Sequence, residues 1–186
     1  MRSFVVGVLV GGIVVGALAI GSRRAEVRSV WSIPYALQFQ KTATPNYNKT
    51  DVEWLARNIY FESRGESVAG MLAVGLVVDN RIKDTRYPHT VKGVVTESAL
   101  DRKGGIIPNR CQFSWFCDGI PDEPNRKSHE WQMAQELAIA ILSDQVFDFT
   151  DGATNFHNEK VSPKWKLQEV AKIDNHTFYR SFREGE

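Results

Sequence analysis

Between Arg2 and Arg23 lie twenty consecutive residues without a charge, including the run FVVGVLVGGIVVGALAIG. A helix of that length reaches across the hydrocarbon core of a bilayer, about 30 Å. A soluble core helix would carry a polar face, and this run has none, so the sequence predicts a membrane-crossing helix. Gly7 and Gly11, and again Gly12 and Gly16, stand four apart, a spacing that lets two such helices pack closely. Ala17-Leu18-Ala19 has the small-residue pattern of a signal-peptidase site. The apolar run is longer than a signal-peptide core, however, so an uncleaved signal anchor over residues 1–24 is the expectation. Arg23, Arg24 and Arg28 lie beyond the span while Arg2 precedes it. Charge alone therefore favours placing the rest of the chain on the cytoplasmic side.

Residues 25–50 hold Pro34, Pro45, Asn46 and Asn48 with no sustained period and read as a tether. The chain's formal net charge is +1, and the four arginines and one glutamate of its first 30 residues leave the rest mildly acidic. A nucleic-acid binder would show a basic face, so nucleic acid is excluded as a partner.

The remainder, residues 51–186, has the apolar content to bury a core. Thr50 with Glu53 three residues later forms a capping-box pattern, and Val52, Leu55, Ile59 and Tyr60 then recur at helical spacing, predicting a helix over about 51–63. Glu62 falls in its last turn on the same face as Leu55 and Ile59. A carboxyl there is partly desolvated and lies at the negative end of the helix dipole. Both effects raise its pKa, as a general acid requires. The competing role is a salt bridge to Arg57 or Arg64.

Ser67 caps a second helix, VAGMLAVGLVVDNRI, apolar almost all round and so expected at the centre of the domain. A short amphipathic piece, HTVKGVVTESAL, comes next, and Gly104-Gly105 turns into a loop bounded by Cys111 and Cys117. Ser128 caps a third long helix. ATNFHN, EVAKI and HTFYR then read as strands, the last two joined by a turn at Asp174-Asn175. The fold class expected is α+β, mainly helical, with a small antiparallel sheet. Two thiols do not complete a zinc site, and no metal or other cofactor is expected. Outside the cytoplasm Cys111 and Cys117 would form a local disulfide, and inside it they would be buried thiols.

Seven segments, NIYFESRGES, AVGLVVDNRI, YPHTVKGVV, CQFSWFCDG, GATNFH, VSPKW and HTFYR, occur in one order across about residues 51–180. This ordered set resembles the SleB-type cell-wall hydrolase family, which includes spore cortex-lytic enzymes and related phage lysins. The resemblance implies a lysozyme-like or transglycosylase-like domain that cuts peptidoglycan between N-acetylmuramic acid and N-acetylglucosamine. It places the catalytic glutamate at Glu62.

Most glycosidases use two carboxylates. Glu66, Asp79 and Asp101 are candidates for a second, and none stands out, so a single-glutamate lytic transglycosylase is the expectation. Simple muramidase-type hydrolysis and a non-catalytic, membrane-anchored peptidoglycan-binding protein are the alternatives. Gln112, Phe113, Ser114 and Trp115 of the cysteine loop, with Asn155, Phe156 and His157, supply the aromatic and amide groups expected of a sugar groove. Family members often carry His-Tyr where this chain has Asn155-Phe156. The implied location is the inner membrane, with the domain in the periplasm or cell envelope, or secretion after cleavage.

Overall fold

Asn48 starts the first helix, two residues before the position that the Thr50/Glu53 pattern marks. Its Oδ1 accepts the Asp51 N–H at 2.8 Å while its Nδ2 donates to the Asp51 carboxylate at 2.7 Å, a reciprocal cap built from Asn and Asp. Glu53 is drawn away by Arg57 and Arg126, both 2.8 Å from its Oε1, and is not free to close a box with Thr50. The structure, a computed structural model, describes residues 47–182, all within the compact unit Phe39–Glu186. The expected membrane-crossing helix, and the tether up to residue 46, lie outside the described residues. Among the described residues no helix is long and apolar enough to cross a membrane.

Four helices carry the fold: α1 Lys49–Ser63, α2 Val68–Lys83, the short α3 Val91–Val95 and α4 His129–Leu142. Ser67, Thr90 and Ser128 cap α2, α3 and α4 by accepting N–H groups of their first turns. The all-round apolar α2 is the central element. Ala73, Val74, Leu76, Val77 and Val78 are buried, each large aliphatic contributing roughly 1.5–3 kcal/mol relative to exposure. Gly75 marks where α2 meets both neighbours, because a Cβ there would lie 2.5 Å from Ile141 Cδ1 of α4 and 3.0 Å from Ile59 Cδ1 of α1.

The strands form two antiparallel sheets where the sequence predicts one. β3 Asn155–Asn158, β4 Gln168–Ile173 and β5 His176–Arg180 pair in the order β3-β5-β4. Phe156 and Phe178 are directly opposed and face inward onto Ala73, Val74 and Val77 of α2, so the sheet packs on the central helix. The second sheet is a hairpin, β1 Ser98–Leu100 with β2 Ile106–Cys111. Asp101 closes its turn by accepting the N–H groups of Lys103 and Gly105 at 2.7 and 2.8 Å. No sequence pattern marks this hairpin, because its strands are largely exposed, lack alternation and include Pro108.

Cys111 and Cys117 are joined by a disulfide. Within the loop it closes, Trp115 stacks on Phe61 of α1 at 4.9 Å and donates its Nε1 hydrogen to Asn58 Oδ1 at 3.1 Å. The loop is thereby docked against the last two turns of α1.

The close approach at Gly75 has a measurable consequence. Gly75→Val forces side-chain atoms into Ile59 and Ile141, and should lower unfolding free energy by about 2 kcal/mol or more in urea titration.

Candidate active site

Glu62 sits in the last turn of α1, partly buried. Leu55 and Ile59, on the same face of the helix, are fully buried. Neither arginine of its own helix region binds it. Arg57 is engaged by Glu53, Glu123 and the carbonyl of Asp122. The Arg64 guanidinium lies 5.4 Å from the centre of the Tyr60 ring. Among the described residues no hydrogen bond or ion pair holds the Glu62 carboxyl, and burial pushes its pKa up to about 7 against the opposing charge of Arg81. A group titrating there is protonated in an appreciable fraction at neutral pH, while its partial exposure leaves room for a ligand to reach it.

Arg81, in the last turn of α2, joins three parts of the chain, and its charge acts on Glu62. Its Nε donates to the Thr154 carbonyl at 2.7 Å, just before β3. Its guanidinium lies 5.1 Å from the Tyr87 ring centre and 5.2 Å from that of Phe113 in the cysteine loop. Asn80 next to it donates to Asp148 and to the Ala153 carbonyl, fixing the turn that leads into β3. Burial lowers the pKa of Arg81, opposed by Tyr87, Glu97 and Glu62, in that order. Glu97, at the entry to β1, has a buried Oε2 with no hydrogen-bond partner. Its backbone carbonyl accepts the N–H of Gln112 at 2.9 Å.

The three other candidate carboxylates are each occupied. Glu66 Oε2 lies 3.1 Å from His176 Nδ1, Asp79 pairs with Lys83 at 2.7 Å, and Asp101 closes the hairpin turn. Burial raises the pKa of Glu66, against the pull of His176.

The candidate groove residues divide into two sets. Gln112 and Ser114 are exposed on the cysteine loop, and Asn155 and His157 are half-buried on β3. Phe113 and Trp115 turn inward, with 2% and 6% of their surface exposed. Phe156 packs among Phe113, His176 and Phe178 at 6.3, 5.0 and 5.7 Å. His157 donates from Nδ1 to the Asn158 carbonyl at 2.8 Å, and its Nε2 is hydrogen-bonded to the Tyr179 hydroxyl at 3.0 Å. Beside this pair a cleft of about 390 Å³ opens, lined among others by Glu159, Lys172, Asn175 and His176; Glu62 is not part of its lining. Among the described residues, no cluster of His, Cys, Asp and Glu is arranged to hold a metal ion.

Comparison with known structures identifies the arrangement. The fold is that of the SleB catalytic domains. The catalytic domain of the germination-specific lytic transglycosylase SleB from Bacillus anthracis matches with a TM-score of 0.55 and 26% identity, over 74% of this chain and 100% of that one. The Bacillus cereus SleB catalytic domain matches with a TM-score of 0.52 and 27% identity, over 75% of this chain and 98% of that one. The model of the cell wall hydrolase family matches residues 65–179, and the chain belongs to that family. It is also similar to the spore cortex-lytic enzyme of Bacillus cereus, at 41% identity over 76% of this chain, and spans about half the length of that relative, 49%.

An acid kept neutral by burial weakens the fold where it must ionise. The folded pKa of Glu62 is raised above its ordinary value of 4.5, so its contribution to stability is fully present below about 4.5 and is lost as pH rises through about 7. Glu62→Gln removes that penalty. The variant should be more stable than the parent by about 2 kcal/mol at roughly pH 8, the difference shrinking towards zero near pH 4, by urea unfolding at both pH values.

Proposed function

We propose that this domain cleaves peptidoglycan glycan strands at the β-1,4 bond between N-acetylmuramic acid and N-acetylglucosamine, as a lytic transglycosylase with Glu62 serving first as acid and then as base. The observation that carries the reading is the Glu62 carboxyl, unbonded and raised to about 7 by burial, in a family whose relatives are spore cortex-lytic enzymes. A SleB neighbour described as a lytic transglycosylase supports the reaction type.

The chemistry turns on a single proton. Protonated Glu62 gives its hydrogen to the glycosidic oxygen as the bond from that oxygen to the muramyl C1 breaks, and the N-acetylglucosamine leaves bearing the new hydroxyl. Positive charge develops at C1, and the muramyl C6 hydroxyl oxygen attacks it. The hydroxyl proton passes to the Glu62 carboxylate, which restores the acid, and the product carries a 1,6-anhydro end. Water is not consumed. A water-activating second carboxylate would be needed for inverting hydrolysis, and the engagement of Glu66, Asp79 and Asp101 supports the single-acid route. Exposed Gln112 and Ser114, with half-buried Asn155, are the groups we assign to hydrogen-bonding the glycan; Phe113, Trp115 and Phe156 shape the wall behind them, and His157, whose two ring nitrogens are engaged by Asn158 and Tyr179, is assigned to the groove as a ring.

We assign residues 1–24 to a membrane anchor, 25–47 to a tether and 48–186 to the catalytic domain, whose first helix Asn48 caps. The anchor would hold the domain against the wall from the inner membrane, and the Cys111–Cys117 disulfide suits such an oxidising compartment.

Digestion of purified peptidoglycan followed by mass spectrometry tests the reading. We expect 1,6-anhydromuramic ends, activity falling as pH rises through about 7, and a loss of roughly 10²–10⁴-fold in Glu62→Gln. Reducing muramic ends would establish hydrolysis instead, and freed stem peptides would overturn the assignment to the glycan.

A further inference from the structure

The outer face of the three-stranded sheet borders a cleft that Glu62 does not line. Side chains alternate along a strand, so with Phe156 and Phe178 turned inward onto α2, His157, Thr177 and Tyr179 point the other way. The register sets Lys172, Thr177 and His157 in one row across the sheet, with Glu169 beside Tyr179 in the next. Residues 159–163, which follow β3, form a second wall. They are fixed by the Glu159 N–H on the Asn175 carbonyl at 2.8 Å and the Val161 N–H on the Asn158 carbonyl at 3.0 Å. Between sheet and wall lies the cleft of about 390 Å³, and of the residues assigned to the glycan groove only His157 lines it.

Three rings meet at its side. His157 and Tyr179 stack with centres 5.3 Å apart and are joined by their hydrogen bond of 3.0 Å. Trp165 stands across both, its centre 5.7 and 5.6 Å from theirs and its plane at 69° and 86° to them. The pair holds the indole in place without covering it, and 43% of Trp165 is exposed.

We propose that this cleft is a second carbohydrate site, which holds an N-acetylated sugar of a peptidoglycan strand away from the bond being cut, with Trp165 as the platform at its rim. The inference rests on the glycan being the substrate.

The residue chemistry selects a neutral, hydroxyl-rich ligand. The lining carboxylates of Glu159, Glu169 and Asp174 outnumber the Lys172 ammonium, so an anion such as the carboxylate end of a stem peptide is repelled. Glu169 is moreover matched to Lys172 at 3.5 Å, and Asp174 accepts the Ser67 hydroxyl at 2.6 Å. A sugar hydroxyl both donates and accepts. It therefore suits a surface where carboxylate oxygens, the Ser162 hydroxyl and the Lys172 ammonium lie together. The weakly positive C–H groups of a pyranose pack on the negative face of an aromatic ring, and the exposed indole supplies one. The volume is near the low end of the roughly 300–1,000 Å³ of small-molecule sites, and takes a short piece of a strand.

The test is adsorption of the full chain in detergent to isolated peptidoglycan, in a Glu62→Gln background so that the wall is not digested. Trp165→Leu and Trp165→Phe are added singly, each checked for folding by thermal melting. Trp165→Leu keeps apolar bulk without a ring and should weaken adsorption roughly tenfold, whereas Trp165→Phe keeps a smaller ring and should weaken it about threefold. If Trp165→Leu does not fold, the loss in Trp165→Phe decides. The affinity that depends on Trp165 should persist in about 0.5 M salt and be competed away by oligomers of N-acetylglucosamine, which carry no stem peptide. Equal adsorption with and without the indole overturns the proposal. So does a Trp165-dependent affinity that disappears in salt or is displaced only by free stem peptides. In either case 1,6-anhydro ends released by the parent enzyme would leave the glycan reading standing, while freed stem peptides would overturn that reading and this inference with it.

Discussion

The junction of α2 with β3 and the cysteine loop depends on one buried cation. Taking a guanidinium out of water is costly unless its hydrogens and its flat faces find partners. Arg81 meets that demand in part: Nε donates to the Thr154 carbonyl and the guanidinium lies over the rings of Tyr87 and Phe113, while Nη1 is buried without a partner. Those contacts tie the end of α2 to the start of β3, to the segment before α3 and to the cysteine loop. The side chain that joins these elements is also the one whose charge opposes the effect of burial on Glu62.

Two opposing effects meet at the Glu62 carboxyl. Burial favours the neutral acid, the Arg81 charge favours the anion, and burial is the larger of the two. The balance comes from the position of Glu62 at the end of α1. The helix's apolar face, anchored by Leu55 and Ile59, withdraws the carboxyl from water, while the docked Trp115 packs against the preceding residue, Phe61. Arg57 and Arg64, which lie closer in sequence, are committed elsewhere.

The aromatic residues of the cysteine loop and of β3 have a different part from the one that their residue types suggest. Phe113 and Trp115 spend their ring faces on Phe156, Arg81 and Phe61. Sugar rings stack on exposed aromatic faces, and the exposed positions of this loop are instead Gln112 and Ser114. Phe156 turns towards Phe178 and α2, into a largely apolar environment.

Local chemistry made much of the domain legible. Ser67 and Ser128 cap helices because a hydroxyl needs only the next few N–H groups, and the strands around Asp174-Asn175 come from alternation and a turn. The unbroken apolar run near the N-terminus, from which a membrane helix is expected, lies outside the described residues. The position of Glu62 on a buried helix face was equally a matter of spacing. Where the cap of α1 fell was not, because Glu53 had been claimed by Arg126, 73 residues away. Nor did any pattern join residues 62, 81 and 97. Arg81 reads in sequence as an ordinary polar helix end, and Glu97 as one charge in an amphipathic piece. Only folding buries the Arg81 guanidinium against the Tyr87 and Phe113 rings and lets its charge act on Glu97 and Glu62. Charge interactions depend on distance and dielectric, and both are properties of the packed structure.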